Sequence, residues 1–454
     1  MNNKRYFGTD GIRGIANRHP ITPEFALSLG KSIGTYFRRG KSHPRIIIGK
    51  DTRLSGYMIE SALMSGICSM GADVYLVGPL PTPAIAFLVR SMRAEAGIVI
   101  SASHNPFTDN GIKVYGSDGR KLPDAVELKL EALIDMGTPE GPEGVGLGRA
   151  RRLDDAEGRY IVHAKSTLEA GLSLEGLKIV VDCANGAGYE VAPVILSELG
   201  AEVIALWDAP NGTNINSGCG STEPGSMVRK VLETGADLGI ALDGDADRAI
   251  LADETGSIVD GDDMLFLGAS RLKERGELRN DTVVGTIMTN VGLEAALRKM
   301  GIALVRARVG DRYVLEEMTS TGSVLGAEPS GHVIYLKHSA TGDGVVTALQ
   351  VLQSMVDAGE PLSKLTGGWK RYPQVMQNLR VDNNKTNLEG EPWFEEMLEE
   401  ARGKLGTDNI LSLRYSGTEP LLRVTVSSES EESTTMICDH LCNRLIERFG
   451  WEKI

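Results

Sequence analysis

One pattern recurs three times along the chain and limits the folds open to it. An apolar run leads into a Gly-rich or polar turn, then an amphipathic stretch, a hydrophobic-Gly step and a second apolar run. The first copy runs from RIIIGKDTRLSG through Met64 and Ile67 to MGADVYLVG. The second runs from LKIVVDCANGAG to LSELGAEVIALW, and the third from DTVVGTIMTNVG to LRKMGIALVRA. Gly71, Gly200 and Gly301 stand at the recurring step, where a glycine can end a helix in a left-handed conformation. The apolar runs are too continuous to leave one face in water, as expected of parallel strands covered by helices. Three strand–helix–strand units predict three similar α/β domains.

The connections divide the chain consistently with that reading. Residues 137–148, GTPEGPEGVGLG, are rich in Gly and Pro and place a first boundary near 153. A second falls near Asp253, after GIALDGDADRAILAD, and a third near 367, in LTGGWKRYPQ. Beyond it the order becomes strand, loop, strand LLRVTVSS, then a helix from about Glu431, which predicts a smaller α+β domain. The expected domains are therefore 1–153, 154–253, 254–367 and 368–454.

Composition excludes several classes. A net charge of -13 argues against a nucleic-acid binder, while leaving room for a local basic pocket that takes a small anion. Five cysteines without a regular framework fit reduced thiols in the cytoplasm. Cys438, His440 and Cys442 could suggest a metal. Met436, Ile437, Leu441, Leu445, Ile446 and Phe449 instead recur at helical spacing, so a packed helix is the better reading. The first residues carry no apolar signal segment, and no run of about 18 apolar residues appears, so neither secretion nor a membrane span is expected.

Four segments carry chemistry. In ALDGDADRAI, Asp243, Asp245 and Asp247 alternate between apolar flanks, a spacing that lets three carboxylates converge on one hard cation. Glu254 falls at the twelfth position of a would-be EF-hand loop, but Arg248 stands at the sixth, where that loop needs glycine. In AGIVISASHNP, Ser101 and Ser103 follow an apparent buried strand, where α/β domains bind ligands. The segment lacks the Gly-x-Ser-x-Gly elbow of hydrolases, so it reads either as a polar turn or as a serine that carries a phosphoryl group beside a cation. In LRYSGTEPLLR, Arg414 and Arg423 bracket Ser416, Gly417 and Thr418, a set able to wrap a phosphate. GAEPSGH offers Glu328 and Ser330 for sugar hydroxyls and His332 for proton exchange.

In order and over essentially the whole chain, FGTDGIRG, SASHNPFTDNGIK, DGDADR and RYSGTEP resemble the α-D-phosphohexomutase superfamily. NGTNINSGCGST at 211–222 and VGDRYV at 309–314 are similar to its glucosamine branch. The resemblance implies three related α/β domains plus an α+β domain. It implies that Ser103 carries the phosphoryl group, and that Asp243, Asp245 and Asp247 bind one Mg²⁺ completed by the phosphoserine. Arg248 would lie near the phosphoserine, and Glu328, Ser330 and His332 near the sugar. Arg414, Ser416, Gly417, Thr418 and Arg423 would hold the non-reacting phosphate.

Arg13, Lys113 and His332 are the candidates for proton transfer and charge stabilisation. Lys113 can act as a base if Arg13 and burial lower its pKa. The implied reaction interconverts glucosamine 6-phosphate and glucosamine 1-phosphate through a 1,6-bisphosphate, feeding amino-sugar nucleotide and cell-wall synthesis. A glucose or mannose phosphomutase is the alternative, with a non-catalytic sugar-phosphate sensor and a metal-dependent phosphatase as rivals. Partners are small hexosamine phosphates, and the resemblance allows a homodimer. One departure stands out: the branch usually has Gly-Gly-Glu-Gln-Ser-Gly-His, and here Ala327 and Pro329 replace a glycine and the glutamine. Both stiffen the loop, and the preference for a 2-amino group is left open.

Overall fold

The structure, a computed structural model, describes residues 4–38, 43–381, 388, 390–406, 408–415 and 420–454. Two compact units divide the chain: Met1–Met288 with Val305–Thr366, and Thr289–Leu304 with Gly367–Ile454.

The first sheet contains β1 (Ile12–Ile15), β2 (Arg45–Lys50), β3 (Asp73–Pro79), β4 (Ala96–Ile100), β5 (Asp109–Gly116) and β6 (Ala150–Arg152), in the order β1-β5-β4-β2-β3-β6. Strands β3 and β4 both run parallel to β2, while β5 returns antiparallel to β4. The β-branched run Ile46-Ile47-Ile48 is fully buried, so both faces of β2 are covered. On one face Ile46, Ile48, Ile98 and Ile100 pack with Leu29 and Ile33 of α1 (Pro23–Arg38) and Leu63 and Ile67 of α2 (Ser55–Ser69). On the other, Gly49 and Gly97 leave room for Ile85 and Val89 of α3 (Thr82–Ser91).

The second sheet repeats this plan with β7 (Lys178–Asp182), β8 (Glu202–Leu206), β9 (Leu238–Leu242), β10 (Ala249–Asp253) and β11 (Ile258–Val259), ordered β11-β10-β9-β7-β8. The third has β12 (Thr282–Thr286), β13 (Ala303–Ala307), β14 (Leu325–Ala327) and β15 (Val333–Tyr335), ordered β13-β12-β14-β15. The three expected units are thus present with one shared order, in which the third strand (β4, β9, β14) pairs with the first and is followed by an antiparallel return. Gly71, Gly200 and Gly301 have φ of 85°, 100° and 71°, the left-handed or near-left-handed geometry their position at the helix ends requires.

In the second unit β16 (Gln374–Arg380), β17 (Ile410–Tyr415), β18 (Leu421–Ser427) and β19 (Glu452–Lys453) form an antiparallel sheet, ordered β17-β18-β16-β19. The helices Pro392–Leu405 and Glu431–Phe449 contribute to its core, confirming the α+β expectation. Cys438 and Cys442 are buried there with Ile437, Leu441 and Leu445, whereas Met436 is exposed. None of the described helices is long and apolar enough to cross a membrane.

Helices α1 and α2 touch through glycine. A Cβ at Gly30 would stand 2.5 Å from the Leu63 carbonyl oxygen, so the helices must separate to admit it. Gly30→Ala is expected to destabilise the protein by about 1–3 kcal/mol, read by urea denaturation; an unchanged midpoint would contradict this account of the contact.

Candidate active site

The third strand of each α/β repeat ends in a loop that bears chemistry. Ser103 follows β4, Asp243 follows β9 and Glu328 follows β14. The ends of parallel strands leave backbone groups and loops free of the sheet, and ligands bind there.

Ser103 is buried, with φ at 53°, a left-handed conformation that costs a non-glycine residue about 1–2 kcal/mol. Its Oγ donates to Asp243 Oδ2 at 2.6 Å, and lies 3.4 Å from His104 Nδ1. Ser101 is not the equivalent of Ser103 but its support. Its Oγ accepts from the Ser103 amide at 2.9 Å and donates to Asp51 Oδ2 at 2.6 Å. Arg53, fully buried, pairs with Asp51 at 2.8 Å and donates to the carbonyls of Ser103, Asn105, Pro106 and Asp109. Burial raises the Asp51 carboxyl, with the Arg53 charge and hydrogen bonds opposing it.

Asp243, Asp245 and Asp247 are all buried, and one carboxylate oxygen from each lies within 4.8 Å of the others. The strands β9 and β10 flank them, not the helices of an EF-hand. Burial, then the charges of Asp247 and Asp245, push the Asp243 carboxyl well above the usual range. Burial works the same way on Asp247, but Lys113, His332 and Arg248 outweigh it and hold that carboxyl far below. Thr82 Oγ1 donates to Asp245 Oδ2 at 2.6 Å, while the Oδ1 atoms of Asp245 and Asp247 are buried without a hydrogen-bond partner. Crowded carboxylates with spare inward oxygens fit a hard divalent cation, which prefers several oxygen ligands and offsets their repulsion.

Lys113 does not meet the condition set for a base. It lies in β5, buried, 2.9 Å from Asp245 Oδ2, 3.3 Å from Asp10 and 3.5 Å from Asp247. Burial would lower its pKa, as expected, but Asp10, Asp245 and Asp247 raise it well above the ordinary value. Arg13, on β1, pairs with Asp10 rather than directing charge at Lys113, and donates to the Ala102 carbonyl at 3.2 Å. Asp10 also pairs with Lys121, which reaches Asp311 at 2.6 Å.

His332 accepts the Gly342 amide hydrogen on Nε2 at 3.0 Å, which in the neutral ring leaves the proton on Nδ1, 3.7 Å from Asp247 Oδ1. Burial opposes its charge while Asp247 and Asp311 favour it, and its pKa ends raised. Glu328 Oε1 accepts from the Gly310 amide at 2.9 Å, tying the sugar-loop candidate to the VGDRYV segment. Pro329 fits its place: the Gly331 amide closes on the Glu328 carbonyl at 3.0 Å, so Pro329 occupies the turn position that favours a fixed φ. A cleft of about 570 Å³ is lined by Arg13, His104, Asp247, Arg248, Glu328, Ser330 and His332 among others, with Ser330 exposed to it. Ser103 and Asp243 are buried and outside its lining.

In the second unit, Arg414 and Arg423 sit directly opposite each other on β17 and β18. Ser416, Gly417 and Thr418 lie outside the described residues.

Asp51, Arg53, Thr82, Asp10 and Lys121 escaped the sequence reading. Asp10 lies within FGTDGIRG, and Asp51 and Arg53 within DTR after an apolar strand, but those patterns do not show what the side chains touch. Arg53→Ala would leave Asp51 buried without its counter-charge and is expected to cost about 3–5 kcal/mol of stability, measured by denaturant unfolding. A loss below about 1 kcal/mol would contradict the buried pair as the anchor of the loop.

The chain matches four descriptions of one family in succession. These are phosphoglucomutase/phosphomannomutase alpha/beta/alpha domain I over residues 4–140, domain II over 158–256, domain III over 260–372, and the C-terminal domain over 376–444. It is 52% identical to a phosphoglucosamine mutase of Magnetococcus marinus over 444 residues, covering 97% of this chain and 92% of that protein. It is also 52% identical to the phosphoglucosamine mutase of Zymomonas mobilis over 439 residues, covering 97% and 98%. A solved phosphoglucomutase/phosphomannomutase family protein of Burkholderia thailandensis shares the fold with a TM-score of 0.81 at 24% identity, covering 98% of each chain. Matched from end to end, the chain belongs to the phosphoglucomutase/phosphomannomutase family, in its phosphoglucosamine mutase branch, and is a mutase of the isomerase class.

Proposed function

We propose that the chain interconverts glucosamine 6-phosphate and glucosamine 1-phosphate in the cytoplasm, through phosphorylated Ser103 and a sugar 1,6-bisphosphate, on the route to amino-sugar nucleotides and cell-wall precursors. The observation that carries this reading is the 2.6 Å hydrogen bond from Ser103 Oγ to Asp243 within the acidic trio. Half-identical relatives named phosphoglucosamine mutase favour the amino sugar over the glucose or mannose alternative. In this reading the chain divides at 153, 253 and 367.

Asp243, Asp245 and Asp247 would hold one Mg²⁺, which supplies the positive charge that lets an electron-rich oxygen approach a phosphoryl group. Phosphorylated Ser103 gives its phosphoryl group to the O1 hydroxyl of glucosamine 6-phosphate, forming the bisphosphate, and the O1 proton goes to the freed Ser103 Oγ. After the bisphosphate turns in the cleft, Ser103 Oγ takes the phosphoryl group from O6 and its proton goes to O6, and glucosamine 1-phosphate leaves.

In the unphosphorylated serine Asp243 accepts the Ser103 hydroxyl hydrogen, so Oγ is oriented for taking the group back from the bisphosphate. Lys113, whose pKa Asp10, Asp245 and Asp247 raise, suits the stabilisation of developing negative charge better than the acceptance of a proton. Arg13 and Arg248 add positive charge to the cleft, while Glu328 and Ser330 take sugar hydroxyls. His332 Nδ1 lies 3.7 Å from Asp247 Oδ1, and its charge when protonated favours the ionised carboxylate. Arg414 and Arg423, with Ser416, Gly417 and Thr418, would bind the phosphate that does not react.

The test compares kcat/KM for glucosamine, glucose and mannose 6-phosphates with Mg²⁺ present, with Ser103→Ala as control. Glucosamine 6-phosphate is expected to be turned over fastest, and Ser103→Ala to abolish turnover while still binding the bisphosphate. Equal rates on the three sugars would contradict the substrate. Unaffected turnover by Ser103→Ala would contradict the carrier, and release of inorganic phosphate in place of an isomer would indicate a phosphatase.

A further inference from the structure

The loop between β8 and the helix Gly225–Thr234 folds Asn216, at its middle, onto the Ser103 loop. Asn216 sits there with φ at 57°, its amide donating to the Ala184 carbonyl at 2.9 Å. Its side-chain Nδ2 donates to the Ser103 carbonyl at 2.9 Å and to the Asn105 carbonyl at 3.1 Å. Arg53 Nη2 donates to the same two oxygens, at 2.9 and 2.8 Å. Each carbonyl therefore takes one donor from its own α/β repeat and one from the next. Two facing carbonyls require the amide NH₂, not its oxygen, and the two N–H groups match the two acceptors.

The contact lies against the acidic loop. A Cβ on Gly244, between Asp243 and Asp245, would stand 2.6 Å from the Ser103 carbonyl oxygen and 2.8 Å from Asn216 Nδ2. The grip on that carbonyl thus sets how Ser103 seats over the acidic trio. Ser103 also holds a left-handed backbone that persists only where its surroundings fix it.

We infer that Asn216 is a positioning residue for phosphoryl transfer, fixing the Ser103 backbone from the second repeat so that Oγ keeps its register with Asp243. This rests on the reading of Ser103 as the phosphoryl carrier. Arg53 anchors the same loop through the buried Asp51 pair, so its loss disturbs folding. Asn216, half-buried, contributes a removable amide.

Full-length Asn216→Gly, Asn216→Asp and Asn211→Ala test this, beside Ser103→Ala, by steady-state turnover of glucosamine 6-phosphate with Mg²⁺. Glycine keeps the left-handed backbone and removes only the amide. Aspartate keeps shape but turns two donors into acceptors facing carbonyls. Asn211 lies in the same loop without touching the Ser103 loop.

Asn216→Gly is expected to lower kcat by about 10–100-fold while KM stays within about twofold, since a misplaced reacting atom weakens the transition state rather than binding. Asn216→Asp is expected to be at least as slow, and Asn211→Ala to match the parent. Parental kcat in Asn216→Gly, or near-parental kcat in the isosteric Asn216→Asp, would overturn the inference. So would a rise in KM alone, or an Asn216→Gly protein that fails to fold. If Ser103→Ala itself turns over, the carrier assignment has failed; if Ser103→Ala is inactive while both Asn216 variants run normally, only the clamp has.

Discussion

Three buried carboxylates within 4.8 Å of one another are the constraint around which the site is arranged. In a poorly hydrated interior their repulsion is strong, and it divides them: Asp243 is driven toward its neutral form while Asp247 is held ionised by nearby cations. Ser103, Thr82, Lys113 and the Arg248 amide each bond to the trio, yet two inward oxygens remain without a donor. A divalent cation suits that remainder, and Asp245 and Asp247, with Asp10, raise the Lys113 pKa.

The fold explains how three distant segments meet. Each α/β repeat places its third strand next to its first and ends it at a loop, so Ser103, Asp243 and Glu328 occupy equivalent places in successive repeats. Duplication of one architectural position thus supplies a serine hydroxyl, an acidic trio and a glutamate carboxylate from one plan. Hydrogen bonds then tie the loops together: Asn216 reaches the Ser103 loop and Thr82 reaches Asp245, while His332 Nδ1 lies 3.7 Å from Asp247 Oδ1. Relative placement of the loops, more than any single residue, gives the site its chemistry.

Much of this was legible in the sequence because it is written in local pattern. Apolar runs and glycine steps gave the three repeats, and alternating aspartates between apolar flanks gave the cation candidate. The supports were not legible, since Asp51, Arg53, Asp10, Lys121 and Asn216 act on residues distant in the chain, and no spacing rule encodes such contacts. Lys113 shows the limit most clearly. Its burial was anticipated, but the carboxylates that reverse the effect on its pKa come from β9's loop and from Asp10, over a hundred positions away in either direction. His332 was read as a proton exchanger, and only the fold reveals that Gly342 occupies one of its nitrogens.

The central claim is that Ser103 is the atom-bearing link between the two sugar positions. Its most direct test is peptide-resolved mass spectrometry of the full-length protein after incubation with glucosamine 1,6-bisphosphate and Mg²⁺. The account requires the mass of one phosphoryl group on the peptide containing Ser103 and, when that group carries ¹⁸O, its exchange for the unlabelled group of glucosamine 6-phosphate at the rate of turnover. Phosphate on any other residue, or a Ser103 phosphate that keeps its ¹⁸O while the sugar phosphate is turned over, would contradict it.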